Sequence, residues 1–179
     1  SVPHFTDLFG AEFEAAYLEA EQKGTYIRQV KARDLYGRMM KTLAQTGNGW
    51  MTFKDASNVK SNQTGQPENV IHLSNLCTEI LEVTSNNETA VCNLASIALP
   101  KFLNKNKTYN HNKLFEVAYS SIVNLNNVID VNYYPSRAAK FSNLCHRPVG
   151  LGVQGLADVF FATGLSYESE EAKQDRKSV

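Results

Sequence analysis

Pro148-Val149-Gly150-Leu151-Gly152-Val153-Gln154-Gly155-Leu156-Ala157-Asp158-Val159-Phe160 joins two periodicities in one short stretch. Pro148 to Val153 reads as a short buried strand, and Leu156, Val159 and Phe160 then recur at helical spacing. Gly150, Gly152 and Gly155 fit the dinucleotide-binding fingerprint letter for letter. The context argues against that reading. Arg147-Pro148 stands just before the glycines, no long strand precedes them, and Asp175, at the distance where the fingerprint places an acidic residue for the ribose, lies in a charged tail. What remains is a strand feeding directly into a helix.

The same alternation extends upstream. Leu114, Ala118, Ser121, Ile122, Leu125, Val128 and Ile129 trace the clearest helical stripe in the chain, and Pro135 closes the segment after it. Ile80 to Thr84 and Thr89 to Leu99 are rich in β-branched and apolar residues and flank a turn at Ser85-Asn86-Asn87-Glu88, so both are strand candidates. Trp50 to Phe53 reads as a further short strand, followed by a polar surface connection from Lys54 to Asn69. Two amphipathic helices open the chain. One runs from Asp7 to Lys23, with Thr6 placed to cap it and Gly24 to end it; the other runs from about Ala32 to Thr46, with Leu35, Met39, Met40 and Leu43 on a face expected to be core. Helices alternating with short strands point to an α/β fold with substantial parallel pairing.

The 179 residues suffice for one domain or part of one, and equal numbers of acidic and basic residues, 18 each, leave no basic stripe for a nucleic-acid partner. No apolar run reaches bilayer length and no signal peptide stands within these residues, so no membrane association is expected and the cytoplasm is the expected compartment. The glycosylation sequons at Asn62, Asn87 and Asn106 are read as accidents of an Asn-rich chain. Ser1 is not an initiator methionine, and the charged run Glu170 to Val179 starts like a helix and stops without a cap, so both ends read as cut. Cys77, Cys92 and Cys145 cannot form a fully paired framework and read as buried thiols, ligands or reactive groups. Cys145-His146 with Cys77, Cys92 and His72 matches no closed zinc spacing, which leaves a free thiol at Cys145 and a hydrogen-bonding His146.

Asn75-Leu76-Cys77-Thr78-Glu79 places an amide, a thiol and a carboxylate at alternate positions. In an extended or looped backbone the three side chains could converge on one ligand. A capped strand end holding a buried cysteine fits the same spacing.

His72-Leu73-Ser74-Asn75-Leu76-Cys77-Thr78-Glu79-Ile80, followed by Glu88-Thr89-Ala90-Val91-Cys92-Asn93-Leu94-Ala95-Ser96-Ile97-Ala98-Leu99, resembles the catalytic core of class I ribonucleotide reductase large subunits, closest to the eukaryotic and viral type. Phe53-Lys54-Asp55-Ala56-Ser57-Asn58 and Lys60-Ser61-Asn62-Gln63 upstream, with Asp130-Val131-Asn132-Tyr133-Tyr134-Pro135 and His146-Arg147-Pro148-Val149-Gly150-Leu151-Gly152-Val153-Gln154-Gly155-Leu156-Ala157-Asp158 downstream, are similar to the same family in the same order. The resemblance covers about Glu12 to Ala172.

That resemblance implies a ten-stranded α/β barrel with a finger loop carrying the radical cysteine, of which residues 1–179 would be an internal segment incomplete at both ends. The glycines of the fingerprint would then belong to a barrel strand, packing closely. The implied activity is reduction of ribonucleoside diphosphates to deoxyribonucleotides. Cys77 would be the thiyl that takes the ribose 3′ hydrogen, Glu79 the general base, and Ser74 and Asn75 substrate-binding residues, Asn75 orienting the sugar hydroxyls. Cys92, fifteen positions after Cys77, would be the second thiol of the pair that supplies two electrons. Its partner lies upstream in the family, and no cysteine precedes Cys77 here. The implied partners are the remaining segments of the large subunit, the metal-containing small subunit that generates the radical, and thioredoxin or glutaredoxin as reductant; no cofactor or metal is expected on the segment itself. A non-catalytic remnant of the same barrel, kept for assembly, is the alternative. Retention of Asn75, Cys77 and Glu79 together favours the enzyme.

Overall fold

The computed structural model describes residues 3–177, and the chain divides into two compact units, Ser1–Ala90 and Val91–Val179. The terminal residues Ser1 and Val179, on which the reading of cut ends bears, lie outside the described residues.

The first unit opens with a 3-10 turn, Pro3–Asp7, and helix α1, Gly10–Gln22. Thr6 does not cap α1. The helix starts three residues later than expected, and the Gly10 N–H donates to Asp55 Oδ1 at 2.8 Å, so its first N–H is satisfied by a carboxylate distant in sequence. Helix α2, Ala32–Thr46, has the expected bounds and ends where Gly47 turns left-handed (φ 67°) and donates to the Leu43 carbonyl. Its apolar face is not core: no α2 residue is buried, and Leu35 and Met39 are exposed. Helical spacing shows that one face is apolar, and cannot show what covers it.

Trp50 to Phe53 is not a strand, and the surface connection expected after it begins with helix α3, Lys54–Lys60. Asp55 in the first turn and Lys60 in the last complement the helix dipole. Lys54 Nζ donates to the Leu8 and Thr6 carbonyls, and burial pushes its pKa below the ordinary lysine value against the pull of Asp7 and Asp55. Lys54 and Asp55 therefore fasten the start of the chain onto α3.

Ile80 to Thr84 is extended but forms no strand ladder. Its N–H groups go to side chains and an isolated carbonyl instead: Ile80 to Asn75 Oδ1, Val83 to Gln63 Oε1, and Thr84 to the Val70 carbonyl. The turn expected at Ser85–Glu88 is present as an isolated antiparallel bridge.

The second unit is built on two parallel strands, β1 (Leu94–Ala98) and β2 (Gly150–Gln154), in the register Leu94 with Gly150 through Ala98 with Gln154. The strand expected over Thr89 to Leu99 is thus confined to its second half. Helices α4 (His111–Val131) and α5 (Arg137–His146) make the crossover between the strands, and α6 (Leu156–Thr163) and α7 (Glu170–Lys177) follow β2. Ile97 of β1, Leu99 and Phe102 of a 3-10 turn (Leu99–Phe102), Leu114 of α4 and Val159 of α6 form the core cluster.

The glycine fingerprint now has a structural account. Gly150 and Gly152 lie within β2 itself, and Gly155 is the left-handed residue (φ 81°) that starts α6. A Cβ on Gly155 would stand 2.6 Å from Pro100 Cδ, whereas one on Gly152 would meet only the Ala95 carbonyl oxygen at 3.8 Å. The close approach is demanded at Gly155. Among the described residues no helix is long and apolar enough to cross a membrane.

Candidate active site

The candidate residues of the first unit sit at the tip of a loop whose base is closed by side-chain amides. At that base Asn58, on α3, pairs with a single residue in both directions: its Nδ2 donates to the Ile71 carbonyl at 2.9 Å and its Oδ1 accepts from the Ile71 N–H at 2.9 Å. Gln63 Oε1 takes the Val83 N–H at 2.9 Å, opposite. His72 adds a third tie, with Nδ1 2.8 Å from Thr84 Oγ1 and Nε2 3.0 Å from Asp7 Oδ1. Val70, Ile71 and Val83 are buried between these contacts. Two amide side chains thus do what a neighbouring strand would otherwise do.

From this base the chain runs out to a tight turn at Leu76-Cys77, closed by the Thr78 N–H on the Asn75 carbonyl at 3.2 Å. Thr78 is left-handed (φ 72°), a conformation a β-branched residue rarely adopts. The turn brings Asn75 and Glu79 together: Asn75 Nδ2 donates to Glu79 Oε1 at 2.7 Å, while Asn75 Oδ1 accepts from the Ile80 N–H. One amide therefore fixes both the carboxylate and the backbone beyond it. The second Nδ2 hydrogen of Asn75 is available to a ligand hydroxyl. Cys77 is an exposed thiol at the tip. Ser74, half-buried, donates its hydroxyl to the Asn75 carbonyl at 3.0 Å. An apolar hollow of about 510 Å³ lined by Phe53, Ser57, Lys60, Thr78 and Leu81, among others, lies alongside, but Asn75, Cys77 and Glu79 are not among its lining residues.

Cys92 belongs to the second unit, two residues before β1, and its thiol is exposed and not in a disulfide. The same holds for Cys145, so none of the three cysteines is the buried thiol that the sequence allowed. Next to Cys92, Asn93 is buried and its side-chain amide meets that of Asn143.

Asn58 and Gln63 lie in the quoted motifs, but sequence reasoning gave them no role. The available signal was the presence of two amides in a segment read as a polar connection. Asn93 and Asn143 carried no signal, since nothing in the spacing joins positions fifty residues apart.

The comparisons with known proteins bear on this geometry. Residues 1–179 match the family described as the ribonucleotide reductase barrel domain. The chain is 48% identical over 172 residues to the ribonucleoside-diphosphate reductase large chain of Schizosaccharomyces pombe, covering 96% of this chain and 21% of that relative. It is 45% identical over 196 residues to the large subunit of Arabidopsis thaliana (99% and 24%) and 42% identical over 180 residues to that of Acanthamoeba polyphaga mimivirus (99% and 20%). Among solved structures, the Actinobacillus ureae class Id ribonucleotide reductase alpha subunit is similar at TM-score 0.59 and 28% identity, over 89% of this chain and 30% of that one. The chain belongs to the ribonucleotide reductase barrel-domain family and has its α/β architecture. It spans about a fifth to a quarter of the length of these large subunits.

Proposed function

We propose that this chain is the internal barrel segment of a ribonucleoside-diphosphate reductase large subunit on which the ribose is reduced, with the loop around Cys77 as the finger inside the barrel. The observation that carries this reading is the turn that holds the Glu79 carboxylate on the Asn75 amide, next to an exposed Cys77 thiol.

The overall reaction converts a ribonucleotide and two thiols into a deoxyribonucleotide, water and a disulfide. Cys77, as a thiyl, takes the 3′ hydrogen, which is feasible because S–H and activated C–H bonds are of similar strength. Glu79 accepts the 3′-hydroxyl proton while the 2′ hydroxyl takes a proton from the thiol pair and leaves as water. Asn75 has one N–H on Glu79 and one to offer the sugar, so it holds base and substrate in a single geometry, with Ser74 at its shoulder. In all, Cys92 and a thiol from another segment supply two electrons and two protons and close to a disulfide, and Glu79 returns its proton to the 3′ oxygen. Cys77 returns the hydrogen to C3′ and is a thiyl again.

On this reading the radical reaches Cys77 from a metal-containing small subunit, thioredoxin or glutaredoxin reduces the disulfide, and the remaining large-subunit segments complete the barrel in the cytoplasm. The test is substitution within a complete large subunit containing this segment. Cys77→Ser should abolish turnover with nucleotide binding retained, because an alcohol O–H is too strong to yield the abstracting radical. Cys92→Ser should release free base without deoxynucleotide, because the sugar radical forms but is not reduced. Turnover of Cys77→Ser at a tenth of the parent rate would end the radical assignment.

A further inference from the structure

The residue after Cys92 is anchored by a buried polar chain that the reaction described so far does not use. Asn93 is 5% exposed and Asn143, on α5, is 0% exposed. Asn93 Nδ2 faces three acceptors: Asn143 Oδ1 at 2.6 Å, the Pro148 carbonyl at 2.9 Å and the Val91 carbonyl at 3.4 Å. Asn143 Nδ2 donates to the Tyr134 hydroxyl at 2.6 Å, and that hydroxyl donates to the Ile129 carbonyl near the end of α4 at 2.6 Å. The Asn93 main-chain carbonyl accepts from the Gly150 N–H at 2.9 Å, one step before the β1–β2 ladder begins.

Both neighbours of Cys92 are therefore held. Val91 is held through its carbonyl, and Asn93 through its side chain and its backbone. Successive residues of an extended chain point to opposite sides, so an inward Asn93 directs Cys92 outward, and Cys92 is exposed. Buried amides are retained only where their hydrogen bonds are met, and here each amide meets the next, so moving one displaces the others.

We propose that Asn93, Asn143 and Tyr134 are positioning residues for the Cys92 thiol. They transmit the placement of α4, α5 and the start of β2 to the sulfur, so that it meets the partner thiol and the sugar radical in register. The proposal rests on the reading of Cys92 as a thiol of the reducing pair. Its consequence is kinetic. A displaced Cys92 reduces the sugar radical more slowly, and the radical then loses its base before it is reduced.

The experiment compares Asn93→Leu, Asn143→Leu and Tyr134→Phe with the parent and with Cys92→Ser, each in the complete large subunit with its small subunit. The readout is base released per deoxynucleotide formed. That ratio should rise at least about tenfold in the two asparagine variants and several-fold in Tyr134→Phe, with nucleotide affinity unchanged. A merely structural role lowers both outputs together and leaves the ratio at the parent value. Tyr134→Phe removes one hydroxyl from a half-buried ring, so it decides the matter even where the asparagine variants fail to fold. A parent-like ratio in Tyr134→Phe and in whichever asparagine variants fold overturns the positioning role. A parent-like ratio in Cys92→Ser overturns the reading beneath it, and the two failures are thereby distinguished.

Discussion

At the scale of single residues, the proposed site rests on Asn75 and Glu79, an amide at 2.7 Å from a carboxylate with an exposed thiol between them in sequence. Glu79→Gln keeps the shape and removes the proposed base, so turnover by a complete large subunit should fall by roughly 10²- to 10⁴-fold in steady-state assays. A loss under about tenfold would transfer the role of base to another group. A second charge has a different use. The Arg147 guanidinium meets Asp130 with both terminal nitrogens, at 2.9 and 3.0 Å, while its Nε donates to Asn126 Oδ1, tying the end of α5 to α4. The hydrogen bond from Arg147 holds the Asp130 carboxyl below its ordinary range. With its folded pKa depressed, Asp130 stabilises the fold above its unfolded pKa, and this is lost as pH falls through the lower, folded value. Thermal midpoints of Asp130→Asn should therefore lie slightly below the parent near neutrality and converge with it in acid. Asp130 is exposed and Arg147 half-buried, so the pair is open to solvent and added salt should shrink the gap.

At the scale of elements, the loop carrying Cys77 is held by amides, not by a sheet. Asn58→Leu leaves the buried Ile71 N–H and carbonyl without partners, which should cost about 1–3 kcal/mol in denaturant unfolding. The same variant should speed amide exchange at Ile71 and Val83 before it affects β1 and β2, since only the loop base opens. Uniform exchange across both units would argue that Asn58 is a general core residue. In the second unit, Gly155→Ala combines a left-handed backbone with a Cβ pressed against the Pro100 ring, and should destabilise by about 2 kcal/mol or more. Gly152→Ala, with only an ordinary contact to meet, should be much milder. These elements show where sequence reading succeeds and where it stops. Helix α2 was legible from its stripe and its closing glycine, whereas α3 was not, because seven mostly polar residues carry no apolar period.

At the scale of the whole chain, the apolar surface is extensive. Ile27, Phe53, Leu76, Val131, Tyr133 and Phe161 are each at least 80% exposed, and α2 presents Leu35 and Met39 to solvent. The two-stranded β1–β2 sheet also leaves strand edges that can pair with further chain. Expressed by itself, the chain should self-associate or precipitate, visible as light scattering and early elution on gel filtration. A monodisperse monomer with one sharp unfolding transition would show that this surface needs no cover.

Read alone, the sequence determined the α/β class, the strand-to-helix passage at Gly150–Phe160, the long helix carrying Leu114 to Ile129, and the motif around Cys77 that marks the family. These are local or contiguous signals: periodicity, capping residues and short ordered motifs are written in neighbouring positions. The tertiary structure alone decided that β1 and β2 pair in parallel, that Gly155 must be glycine because Pro100 occupies the space, and that Asn75 grips Glu79. It also decided that Asn58 stands in for a strand at Ile71, and that Asn93 meets Asn143 beside Cys92. Each of these is a contact whose energy depends on distance in space and on removal from water, and neither is a function of position along the chain.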